Sequence, residues 1–410
     1  MTASRPASSP RVSGSVWEVF VAFLVLGLTS FGGPMAHMGY FRTEFVQGRQ
    51  WLSDEEFSDL VALCQCLPGP SSSQVGIGLG LGRAGWGGAL AAWVGFTAPS
   101  AVLLTLVALG IQHWVSAPVI GALHGLKVLA VAIVAQAVWG MARSLCPDWP
   151  RALLACGAAA IALSLPAALG QLGAIAVGAC VGVWWLPGAA ASPPPAAGTR
   201  SPVSRRAGLL ALLIFVALLV TLFLMAQGTD SRLWGALWVC YRASSLVFGG
   251  GHVVLPMLEV GFVQPGWLSA EQFLSGYGAA QAVPGPLFTF AAYLGATSSL
   301  PGLPSPWLGA GLLLLAIFTP AFLTVIAALP FWHALRERLA VRRALAGVNA
   351  AVVGMLGAAL ITSIGTSALG SIGDLVLAVI AWVLLLRWRC PPVALVVLAA
   401  MGGAVLGGAP

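Results

Sequence analysis

The chain has 410 residues, of which 59% are hydrophobic and only 8% charged, with a mean hydropathy of +0.94. A soluble domain carries about a quarter charged residues, so a soluble globular protein is excluded. The formal charge of +7 comes from Arg scattered at the ends of apolar runs, which is the orienting charge of a membrane protein and excludes a nucleic-acid partner.

The tail 1–15 is polar, carries Arg5 and Arg11, and precedes an apolar run with no small-residue cleavage site. It reads as a cytoplasmic tail before a retained first span. About thirteen apolar runs follow, most of them near the roughly 20 residues a helical span requires. They cover 16–39, 57–81, 86–111, 118–142, 150–164, 167–187, 207–227, 232–256, 270–296, 306–330, 342–365, 370–387 and 391–409. None shows the period-2 alternation of a transmembrane barrel. The expected fold is therefore an all-α, polytopic integral membrane protein. Residues 188–206 are rich in Pro, Ala and Ser with a basic end, the composition of a flexible linker. That linker divides a first membrane repeat, 16–187, from a second, 207–410, which carries one extra leading span.

The repeat is written in matched blocks. SFGGPMAHM (30–38) answers VFGGGHVVLPM (247–257), WLSDEEF (51–57) answers WLSAEQF (267–273), and QCLPGP (65–70) answers QAVPGP (281–286). GFTAPSAVLL (95–104) answers AIFTPAFLTV (316–325), and HGLKVLAVAIV (124–134) answers LAGVNAAVVGM (345–355), setting Lys127 opposite Asn349. Five blocks in one order make a duplication. The second copy begins after a seventh span, so matched spans point in opposite directions. An N-terminus in the cytoplasm places most of the 19 Lys and Arg inside, with Arg42 and Arg49 as exceptions. Two inverted-topology repeats are expected.

Helices broken at matched positions of inverted repeats are a signature of secondary transporters with a midplane site. Proline removes a backbone donor and clashes with the preceding turn. Pro68-Gly69-Pro70 and Pro284-Gly285-Pro286 thus each end one half-helix and begin another. The new N-terminus offers free N–H groups and the positive end of a dipole, which suits an anion. Ser71, Ser72, Ser73 and Gln74 add donors in the first copy; Thr289 does so in the second, and Gln281 precedes that break. A second pair of interruptions, Gly32-Gly33-Pro34 with His37 and Gly249-Gly250-Gly251-His252, permits either local unwinding onto a ligand or close helix packing. Lys127 and Arg242 are cations inside apolar runs, functional by default and suited to a dianion, although Arg242 can also reach the interface. His37, His124 and His252 are candidate proton carriers for a coupled cycle. Glu18 and Glu259 fall at span ends and are expected to face water. Seven cysteines show no metal-ligand spacing, so no metal or cofactor is expected.

These motifs resemble those of the chromate transporter family. FGGP with His37, LPGP followed by Ser and Gln74, FGGGHVVLPM and QAVPGP are similar to its paired signatures, and the two-repeat layout looks like its long form. The resemblance implies a multi-pass protein of the cytoplasmic membrane that exports chromate and confers chromate resistance. It also carries Phe31 to Pro34, His37, Pro68 to Pro70, Gln74, Phe248 to His252, Gln281 and Pro284 to Pro286 onto a substrate site. The residues themselves say only "anion". Sulfate or another tetrahedral oxyanion, carried inward, is the alternative cargo. No GxSxG, HExxH or P-loop motif occurs, so the chain reads as a secondary carrier and not an enzyme. Its partners are the oxyanion, the lipid bilayer and, for coupling, protons.

Overall fold

A computed structural model describes residues 14–31, 33–113, 117–165, 167–186, 203–247, 254–298, 300–332, 338–361, 369–387 and 392–406. Among these the regular structure is helical throughout. The protein is a polytopic α-helical membrane protein. By length and composition, the segments 71–110, 124–143, 205–228, 306–331 and 339–358 can each cross a bilayer.

Helices α1 (Val16–Thr29) and α2 (Gly33–Phe41, continued by a π-helical stretch Arg42–Gly48) flank the first glycine motif. Next come α3 (Asp54–Cys66) and α4 (Ser71–His113), which flank the first Pro-Gly-Pro. The same pattern recurs as α9 (Arg232–Leu246) with α10 (Val254–Phe262), then α11 (Ala270–Ala282) with a 3-10 turn Leu287–Thr289 leading into α12 (Phe290–Thr297). The starts of α3 and α11 explain one repeated block in physical terms. Ser53 with Glu56 and Ser269 with Gln272 each close a capping box, side chain to backbone in both directions.

Helix breaks at the two Pro-Gly-Pro motifs are as expected, but the two sides of each break do not run on through the membrane. They fold back side by side. A Cβ built on Gly78 of α4 would lie 2.7 Å from Leu60 Cδ1 of α3, whereas a straight helix separates residues 18 apart by about 27 Å. Across the second break, Tyr293 donates to the Gln272 carbonyl at 2.8 Å, and the Phe273 and Phe290 rings lie 5.2 Å apart. The helices on either side of each glycine motif pair in the same way. Phe23 of α1 meets Phe41 at 5.6 Å and Phe45 at 4.8 Å, and Gly261 of α10 abuts Val239 of α9. The runs 16–39, 57–81, 232–256 and 270–296 are thus arms of four helical hairpins rather than single interrupted spans. Each arm has about 9–16 residues, or at most roughly 24 Å, and falls short of a hydrocarbon core of about 30 Å.

Helix α4 bends sharply at Ala84 and Gly85, so its first arm, 71–83, belongs to the hairpin and its second arm crosses. Gly80 and Gly88 let the two arms touch backbone to backbone. In the second half, α12 turns into α13 (Pro306–Ala328), and Gly295 meets Gly309 in the same way. Outside the hairpins lie α5 (Ala117–Leu145), α6 (Trp149–Ser164), α7 (Ala167–Trp185) and α8 (Arg205–Gly228). Towards the C-terminus α14 (Leu339–Ala359), α15 (Ile372–Arg387) and α16 (Pro392–Leu406) follow in the places of α5, α6 and α7, with α8 unmatched. α14 packs on α6 and α7 while α5 packs on α15 and α16, so the outer helices of the two halves interleave. α8 keeps a large part of its apolar surface exposed, as expected of a helix facing lipid.

Candidate functional site

The four hairpin tips meet in pairs, and each pair joins the two halves. The Gly69 N–H donates to the Val247 carbonyl at 2.7 Å, and the Gly285 N–H donates to the Ser30 carbonyl at 2.9 Å. Gly69 matches Gly285 in the repeat and Ser30 matches Val247, so one bond is the other's image. A second pair of contacts follows the same rule: Gly69 rests on Ala321 of α13, while Gly285 rests on Ser100 and the Phe96 carbonyl of α4. Ser100 and Ala321 are again matched positions. Two halves that exchange reciprocal contacts are related by a pseudo-two-fold axis. Gly69 and Gly285 have φ of +121° and +105°, a region side chains avoid. Only glycine there lets the chain reverse and bring its N–H against the opposite tip.

Around these junctions the polar groups are buried and underused. Ser71, Ser72, Ser73 and Gln74 are all buried in the first turn of α4. The Gln74 amide donates to the Pro68 carbonyl at 2.7 Å and to Thr324 Oγ1 at 3.1 Å. Thr289 is buried and donates to the Pro286 carbonyl at 2.7 Å. His37 is fully buried on α2, with its ring 5.1 Å from Phe96. Ser30 Oγ, Ser73 Oγ, Gln74 Oε1, Thr97 Oγ1 and Ser244 Oγ are buried without a hydrogen-bond partner among the described residues. Each such group left dry costs about 1–3 kcal/mol. Their concentration beside the tips marks a place built to hold water or a polar ligand. Hydroxyls, amides and imidazole can all donate, and the first turns of α2, α4 and the 287–289 segment add free N–H groups.

Pro34, Pro68, Pro70, Pro284 and Pro286 frame the tips, with Gly33 at the start of α2. Gly32, Gly249, Gly250, Gly251 and His252 lie outside the described residues, as does the side chain of Lys127 on α5. Arg242 is buried on α9 five residues before the tip residue Val247, with its guanidinium 5.7 Å from the Trp238 ring. No hydrogen bond among the described residues joins Asn349, half-buried on α14, to the tips, and its Oδ1 has no partner among them. His124 does not join the tips either: it meets Asp374 at 2.8 Å beside a cavity of about 650 Å³ between α5, α15 and α16. Glu18 pairs with Arg83 at 3.1 Å at the mouth of the first hairpin. Glu259 departs from expectation, being 6% exposed and buried in α10.

Sequence reasoning passed over Ser30, Thr97, Ser100, Ser244 and Thr324. Thr97 and Ser100 sit in the repeated TAPS block and Thr324 in its partner, so the signal was a hydroxyl within a matched block inside an apolar run.

A family model described as "Chromate transporter" matches residues 17–184 and 234–405. The chain is 28% identical over 367 residues to the chromate transport protein of Pseudomonas aeruginosa, covering 83% of this chain and 79% of that one. It is 26% identical over 369 residues to a probable chromate transport protein of Synechococcus elongatus, covering 83% and 82%. The chromate transport protein of Cupriavidus metallidurans is 26% identical over 362 residues, covering 84% and 81%. No solved structure matches.

Proposed function

The chain belongs to the chromate transporter family, and from that premise we propose that it is a secondary active carrier exporting chromate across the cytoplasmic membrane. The observation that carries this reading is the reciprocal pairing of hairpin tips, Gly69 with Val247 and Gly285 with Ser30. It gathers half-helix N-termini and unpartnered donors from both halves at one locus. An oxyanion there would accept hydrogen bonds from Ser71 to Ser73, Gln74, His37 and backbone N–H groups. Arg242 and Lys127 would supply long-range positive charge, as donors alone bind a dianion weakly. Shape and donor count suit any tetrahedral oxyanion, so preference for chromate over sulfate belongs to finer packing at the tips.

An inverted relation of the repeats is supported by counting passes. Gly14, Glu18, Trp51 and Arg83 contact one another, gathering the mouths of the first two hairpins at one end. The second arm of α4, α5 and α8 make three passes, and α6 and α7 pack against each other as a pair that goes and returns, so the number of passes before α9 begins is odd. The hairpins of the second half would therefore enter from the other side, and opposed tips would meet at mid-depth. Tips opposed in this way give alternating access a simple form: rocking one half against the other opens the site to one side at a time. An inside-negative potential favours outward movement of a dianion by about 2.3 kcal/mol per charge per 100 mV, so the membrane potential alone can drive export.

The test is chromate accumulation in inside-out vesicles carrying the protein, with and without excess sulfate and an uncoupler. Accumulation above empty vesicles, lowered by sulfate and lost with uncoupler, is expected. Accumulation no greater than in empty vesicles overturns the reading.

A further inference from the structure

Glu259 lies on α10, the returning arm of the third hairpin, among the fully buried Leu255, Leu258 and Phe262. Its carboxylate has no hydrogen bond or ion pair among the described residues. The fold does not force this. Phe45 and Phe262 are matched positions: each accepts a backbone hydrogen bond from the following Trp, Trp51 at 2.8 Å and Trp267 at 3.0 Å, and packs its ring on it. Three residues earlier stand Arg42 and Glu259. Arg42 is exposed and bound to Asp54 at 2.6 Å, whereas Glu259 is buried and alone. Corresponding segments thus hold a solvated ion pair on a π-helical turn in one half and a solitary acid on an α-helix in the other.

A carboxylate buried within a membrane protein is expensive and marks an ion pathway by default. Neutralising it with a metal cation needs several further oxygen ligands, and no group of three or more His, Cys, Asp or Glu side chains lies together among the described residues. A proton needs none. The titratable groups on the elements packed against α10 are Arg232, Cys240, Tyr241 and Arg242 on α9, Cys180 on α7, and Arg342 and Arg343 on α14. None of them bonds to Glu259. Glu259 and Val247 belong to one hairpin, and Glu259 lies roughly 8 Å along α10 from its tip-side end at Val254. Across such a distance two unit charges interact by about 1–2 kcal/mol at an effective dielectric near 20. A dianion at the tips therefore disfavours ionised Glu259, and a proton on Glu259 favours the anion.

We propose that Glu259 is the proton-binding carboxylate of the transport cycle, taking up one proton as the oxyanion binds and releasing it to the side where the oxyanion leaves. The inference rests on the carrier function proposed above. Chromate carried with one proton still bears a net charge of minus one, so outward movement with the membrane potential is preserved.

The test uses the full chain in proteoliposomes, chromate as the probe and a pH dye on each side. Wild-type protein is expected to take up chromate faster under an inward proton gradient, with the outer medium turning alkaline as chromate enters. Each pH unit supports up to about tenfold accumulation per proton moved. Glu259→Gln is expected to exchange chromate for chromate near the wild-type rate while losing both the gradient response and the proton flux. Glu259→Asp is expected to keep both, with the pH of half-maximal uptake displaced. Gradient-driven uptake by Glu259→Gln like that of wild type, an unmoved pH profile in Glu259→Asp, or wild-type uptake that follows sodium instead of pH each overturns the assignment. Wild-type protein that fails even to exchange chromate overturns the carrier reading itself, and is told apart because exchange needs no proton gradient. Should Glu259→Gln not reach the membrane, the Glu259→Asp profile and the wild-type proton flux decide.

Discussion

Gly69 and Gly285 are the residues on which the tip geometry turns. Each holds a positive φ; a Cβ on Gly69 would come 3.0 Å from the Gln74 amide of its own half and 3.5 Å from Ala321 of the other, and one on Gly285 would come 2.8 Å from Ser100 Oγ across the halves. Backbone forced into such a region costs about 1–3 kcal/mol per residue, and a leucine would in addition push the tips apart. Gly69→Leu and Gly285→Leu are expected to insert into the membrane at near-normal levels yet carry no chromate; wild-type transport in both would remove the tips from the site. Charge acts at the same scale. Lys127→Gln is expected to weaken anion affinity and Lys127→Arg to retain part of it, measured as the chromate concentration for half-maximal uptake. Equal loss in the two would point to packing. Arg42 and Asp54 show the contrasting case of exposed partners, where the guanidinium holds the Asp54 carboxyl below the usual carboxylate range but solvent screens the pair, so it contributes little.

The element that defines the molecule is the hairpin of two short arms. Its arms are too short to cross a membrane, and they satisfy their own backbone as helices while their tips carry the irregular backbone. Such backbone is tolerated at depth only where protein or a wet cavity shields it. The close approach of arms depends on small residues: Gly78 under Leu60, Gly276 under Tyr293, Gly261 under Val239. In a background without other cysteines, Leu60→Cys with Gly78→Cys is expected to form a disulfide on mild oxidation, read as a mobility shift after proteolysis between them. Bridged cysteines have Cα atoms within about 7 Å, so a straight interrupted span at 57–81 would give no bridge.

At the scale of the whole molecule, the halves hold one another at their tips and interleave their outer helices, α14 on α6 and α7 and α5 on α15 and α16. Neither half therefore encloses the site alone. The proposed opposition of the hairpins puts Glu55 of α3 and Glu271 of α11, both exposed, at opposite surfaces. Glu55→Cys and Glu271→Cys are expected to react with a membrane-impermeant thiol reagent from opposite sides of sealed vesicles. Labelling of both from one side would make the repeats parallel.

The sequence by itself determined the class, the duplication and the breaks. Hydropathy decides what enters a bilayer, and proline and glycine act on the backbone locally, so both effects are legible residue by residue. The capping boxes at Ser53 and Ser269 and the matched Pro-Gly-Pro motifs belong to that local grammar. Only the tertiary structure decided that each broken run folds back on itself, that Gly69 meets Val247 and Gly285 meets Ser30, and that Glu259 is buried while Arg42 is not. A proline break can kink a helix or reverse it, and contacts with distant segments choose between them. Burial of one acid likewise depends on helices more than 70 residues away in the chain, such as α7 and α14, which no local pattern records.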